Sequence, residues 1–110
     1  MNRVVITGLG VVSSVGQSTQ DYWDSLVAGR STFAPPTLGT AAQATGKLVG
    51  EVKGFEPAAH FESSQLALLD RVSQFAIVAA RQAVSQSGLG LRGEIAERTA
   101  AIIEIRRAHV

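Results

Sequence analysis

The segment that most restricts the fold lies at residues 64–87, where Leu69, Val72, Ala76, Ala79 or Ala80, and Ala83 recur three or four positions apart and Gly88 ends the run. That period belongs to an α-helix, and a glycine just past the last periodic residue is a common stop. One face is mostly alanine, which lets another element approach closely. Leu66, Leu68, Phe75, Ile77 and Val78 spread apolar bulk around nearly the whole circumference, so the helix is expected to be covered on several sides. A chain of 110 residues with 45% hydrophobic and 17% charged residues holds one domain at most. This composition disfavours disorder, collagen-like repeats and a disulfide-stapled miniprotein.

Arg3-Val4-Val5-Ile6-Thr7 is a short β-branched run leading into Gly8-Leu9-Gly10, the pattern of a strand buried on both faces and followed by a turn. The same stretch imitates a secretory signal, with Arg3 ahead of an apolar run and the small residues Ser14 and Gly16 behind it. Its β-branched residues and its glycines favour a strand and tight turn instead. Ser18-Thr19-Gln20-Asp21 reads as a capping box opening a short amphipathic helix, with Tyr22, Trp23, Leu26 and Val27 on its apolar stripe and Gly29 at its end. Residues 31–46, with Pro35 and Pro36, read as a surface loop. A second strand is expected over residues 47–52, weakened by Gly50 and closed by Phe55-Glu56-Pro57. A third is expected over residues 99–103. The order strand, helix, strand, helix, strand predicts an α/β layered fold with a largely parallel sheet.

Chemistry-bearing motifs are sparse. Ten basic residues against nine acidic ones leave a formal charge of +1 with the cations scattered, which argues against nucleic acid and membrane partners. No apolar run is long enough to span a bilayer. Without cysteine the chain has no disulfide, thiolate metal site or cysteine nucleophile. Gly8 and Gly10 follow a strand, as in a dinucleotide-binding turn. The third glycine is replaced by Ser13, Val12 occupies the alternative position, and no acidic residue follows at the expected distance. His60 and His109 lack metal-ligand spacing, and no serine sits in a nucleophile elbow. Asp70 and Arg71 are adjacent on a helix and so do not face each other, and each is expected to pair with another element. Tyr22 and Trp23 are expected to fill a core rather than mark a partner surface. On these grounds no catalytic, cofactor-binding or metal-binding residue is assigned, and no cofactor is implied.

Arg3-Val4-Val5-Ile6-Thr7-Gly8-Leu9-Gly10-Val11-Val12-Ser13, Gly16 and the Trp23 helix together resemble the opening of the β-ketoacyl-acyl-carrier-protein synthases, the condensing enzymes of fatty-acid and polyketide assembly. Gly50-Glu51-Val52 with Phe55-Glu56-Pro57, Leu69-Asp70-Arg71-Val72-Ser73-Gln74-Phe75-Ala76, and Ala79-Ala80-Arg81-Gln82-Ala83 continue the likeness in the same order, from Arg3 to Ile103. The resemblance implies the start of the first half of a thiolase-like fold. It implies an acyltransferase chemistry in which a cysteine takes an acyl group from a carrier thioester and two histidines assist decarboxylation of a malonyl thioester. It also implies an acyl carrier protein as partner, a possible homodimer for the full-length enzyme, and a cytoplasmic location. None of the three catalytic residues maps onto this sequence, so the chain is expected to be an inactive N-terminal fragment. After Ile103 the likeness gives way to Glu104-Ile105-Arg106-Arg107-Ala108-His109-Val110. The expected division is therefore a synthase-like portion at 1–103 and a divergent tail at 104–110, as a reading-frame shift or premature stop would produce. The alternatives are a non-catalytic module that pairs with a full-length synthase and a small nucleotide-binding protein.

Overall fold

A computed structural model describes residues 3–37 and 47–104. Helix α1 spans Thr19–Val27. The Ser18 hydroxyl oxygen accepts the Asp21 backbone N–H at 3.1 Å, satisfying one of the amides that a helix start leaves without an intrahelical partner. Gly29 follows at φ +63°, a left-handed geometry that glycine adopts without penalty, and its N–H bonds the Leu26 carbonyl.

The expected 64–87 helix is divided. Helix α2 covers Ser63–Leu66, and helix α3 covers Arg71–Ser87. The break falls at Asp70, whose backbone is extended and whose carboxylate accepts the Ser73 N–H at 2.8 Å. A side chain that caps the next turn competes with continuation of the previous one, so a new helix starts there although the apolar period runs straight through. Upstream, the Glu62 side chain and Gln65 form a reciprocal capping box for α2. Gly88, at φ +68°, ends α3 as its position suggests. Helix α4 is one turn, Glu94–Glu97.

The sheet departs most from expectation. Strands β1 (Phe33–Ala34) and β2 (Val49–Gly50) pair antiparallel, with Phe33 opposite Gly50 and Ala34 opposite Val49, and they form the only ladder among the described residues. A strand therefore lies inside the segment read as a loop. It stops at Pro35, which has no N–H to donate. Positions 38–46 of that loop reading fall outside the described residues. Residues 3–7 and 99–103 carry no strand ladder, against the expectation of a largely parallel sheet. Val4, Val5 and Ile6 are 96%, 67% and 83% exposed, and Ile102 is 94% exposed. β-branched residues favour an extended backbone, but a strand is completed only by a neighbour that takes its N–H and C=O groups.

The core is small. Phe55, Phe61 and Val78 are buried, and Val12, Val52, Leu66, Leu69, Phe75 and Ile77 pack against them. Helix α3 is not covered on all sides as expected: only Gln74 and Val78 are buried along it, and Val72 is exposed. Trp23, expected in the core, is 62% exposed, whereas Tyr22 is half-buried.

Candidate functional site

Two constellations bring chemistry-bearing groups together, and both are built on α3. In the first, residues 8–11 lie across the helix as an extended segment, with no turn at Gly8-Leu9-Gly10 where the sequence suggests one. A Cβ placed on Gly8 would fall 2.0 Å from the Ala83 carbonyl oxygen, and one on Gly10 would fall 1.8 Å from that of Ala79. Both glycines are therefore required by close backbone approach. Leu9 N–H donates to Gln86 Oε1 at 2.6 Å, and Val11 N–H donates to Gln82 Oε1 at 2.9 Å. Gln82 also donates through Nε2 to the Gln17 carbonyl at 2.7 Å, tying this segment to the approach of α1. A phosphate-binding turn must present free amides to the anion. Here those of Leu9 and Val11 are taken by side chains and both glycines are pressed onto helix backbone. A cavity of about 340 Å³ beside this segment is lined by Leu9, Gly10, Val11, Thr19, Tyr22 and Trp23.

The second constellation is aromatic and cationic. Phe55 stacks on His60 with centroids 5.4 Å apart and meets Phe75 edge-on at 4.9 Å. The Arg71 guanidinium lies 4.9 Å from the Phe75 centroid and 5.8 Å from that of Phe55, and its Nη2 donates to the Val52 carbonyl at 2.9 Å. Arg81 repeats the arrangement over Phe61 at 5.0 Å and donates to the His60 carbonyl at 2.7 Å. Each arginine thus clasps the 52–61 stretch to α3 through one hydrogen bond and one ring face. His60 is exposed and covers one face of the Phe55 ring. Among the described residues no three His, Cys, Asp or Glu side chains could share a metal ion, and His109 lies outside them.

Asp70 and Arg71 divide as adjacent helical positions should, with one correction. Arg71 reaches another element, whereas Asp70 pairs with its own helix. Hydrogen bonds from the Ser73 side chain and backbone hold the Asp70 carboxyl below its ordinary value of 3.8. The glutamine pair escaped sequence reasoning, although a signal was present: Ala79-Ala80-Arg81-Gln82-Ala83-Val84-Ser85-Gln86 repeats Ala-x-x-Gln every four residues.

Residues 1–104 match the family described as "Beta-ketoacyl synthase, N-terminal domain". The chain is 40% identical over 101 residues to a 3-oxoacyl-[acyl-carrier-protein] synthase 2 of Coxiella burnetii, an alignment covering 92% of this chain and 24% of that protein. It is 37% identical over 87 residues to the granaticin polyketide putative beta-ketoacyl synthase 1 of Streptomyces violaceoruber, covering 79% and 21%. Among solved structures, the ishigamide ketosynthase/chain length factor superposes with a TM-score of 0.65 at 37% identity, covering 79% of this chain and 22% of that one. The chain spans about a quarter of the length of the curated relatives it matches.

Proposed function

Because the chain belongs to the β-ketoacyl synthase family, through its N-terminal domain, we propose that it forms the opening scaffold of a thiolase-like condensing enzyme of fatty-acid or polyketide synthesis. In this reading residues 1–103 are the synthase-like portion and 104–110 a divergent tail. The observation that carries the proposal is the pairing of a family match over residues 1–104 with a sequence that contains no cysteine. Decarboxylative condensation needs a thiolate to attack the acyl carbonyl and expel the carrier thiol. The carbanion left when a malonyl thioester loses CO₂ then attacks that acyl group. This chain supplies no such sulfur, and its one described histidine is stacked on Phe55.

Under this proposal the acyl carrier protein, the homodimer and the cytoplasmic setting belong to a full-length enzyme. No helix among the described residues is long and apolar enough to cross a membrane. The test is to incubate the purified chain with acyl- and malonyl-carrier protein and follow the β-ketoacyl product by mass spectrometry. No product is expected, and condensation by the chain alone would overturn the reading.

A second reading, a non-catalytic module that pairs with a full-length synthase, is favoured by the exposed β-branched residues at 4–6 and 102–103. Co-elution of the chain with such a synthase at micromolar concentration supports it, and separate elution removes it.

A further inference from the structure

Residues 8–11 and α3 meet in a matched register. Two residues of extended chain advance about 6.6–6.8 Å and four residues of helix about 6 Å, so contacts repeat at i+2 on one and i+4 on the other. Gly8 and Gly10 sit on Ala83 and Ala79, while Leu9 and Val11 bond to Gln86 and Gln82, with the chain running antiparallel to the helix. In an extended segment the N–H groups of alternate residues point to the same edge. The two glutamines therefore occupy the edge positions that a neighbouring strand would use.

We infer that Gln82 and Gln86 are edge guards, which hold the Leu9 and Val11 amides and so keep residues 9–11 from extending the pairing of residues 3–7 along that edge with a second copy of this chain. Exposed edges rich in β-branched residues template pairing with another chain, and Val4, Val5 and Ile6 are such residues. The second copy fits on charge. Residues 4–17 are uncharged, so an antiparallel pair of like segments sets each Arg3 opposite the neutral far end of its mate, with no like-charge contact. The guard can be displaced, because the Leu9–Gln86 bond is exposed and the Gln82 bond only part-buried.

The experiment compares the parent chain with the Gln82→Met/Gln86→Met double variant, which keeps side-chain length and helix propensity but removes both acceptors together with the Gln82 donor to Gln17. Ser85→Met controls for added apolar surface. Helix content is read by circular dichroism and mass by light scattering across a concentration series. The double variant is expected to associate at about tenfold lower concentration than the parent, with Ser85→Met unchanged. Parent-like association of the double variant, or equal association of Ser85→Met, overturns the inference. If the double variant loses its helix signal, Gln86→Met alone, which gives up a single exposed bond, is read by the same criteria.

Discussion

The two faces of α3 keep different company. One face carries Phe75, Ile77 and Val78 into the cluster with Phe55 and Phe61, and Arg71 and Arg81 draw the 52–61 stretch over it. The opposite face presents Ala76, Ala80, Ala83 and Val84 to a groove of about 600 Å³ bordered by residues 99–104. Side chains of one type behave oppositely in the two settings: Val78 is 5% exposed and Ile102, across the groove, is 94% exposed. Apolar character alone therefore does not settle burial in this chain. The aromatic cluster closes mostly with residues 52–78, whereas the β-branched segments pair with no strand among the described residues.

The largest effect that would break this contrast comes from the cluster itself. Phe55→Ala is expected to cost about 3–5 kcal/mol, enough to abolish cooperative unfolding in urea, while Ile102→Ala should stay within about 0.5 kcal/mol. Equal effects at the two sites would erase the distinction. Next comes the glycine seat. Gly10→Ala forces a Cβ onto the Ala79 carbonyl and is expected to cost about 1–3 kcal/mol and to release hydrogen-exchange protection at Val11, whereas Gly90→Ala, which meets nothing within 4 Å, should be neutral. Ser18→Ala removes the α1 cap and should lower stability by about 1 kcal/mol without altering the cluster, as read by far-UV melting.

The smallest and most local effect concerns Asp70. Its carboxyl is held below 3.8 by Ser73, so its contribution to stability is present above that value and is lost as pH falls through the lowered folded value. A urea-midpoint profile from pH 6 down to pH 2 should lose this component in Asp70→Asn. An identical acid profile in parent and variant would remove Asp70 from the account.

What could be read from sequence was local. Ser18, Gly29 and Gly88 each fix a helix end through their own side chain or backbone freedom, and all three ends fall where expected. The break before α3 was hidden because the apolar period continues through Asp70, and only the cap geometry shows that a new helix starts there. Residues 3–7 and 99–103 have strand composition, but strandedness is a property of pairs and no local signal supplies the mate. Trp23 misled for a related reason, since an apolar stripe specifies which face of a helix turns inward only when something lies on that side. The glutamine seat for Leu9 and Val11 was legible only as a four-residue repeat whose partner lies far along the chain.

That distance sets an order of events during synthesis. The bonds from Leu9 and Val11 join positions separated by 77 and 71 residues. At about 5–20 residues per second, Leu9 and Val11 are joined to the chain roughly 4–15 s before the glutamines that hold them. Throughout that interval the two amides have only water to bond, and the glycine pair has no helix to rest on.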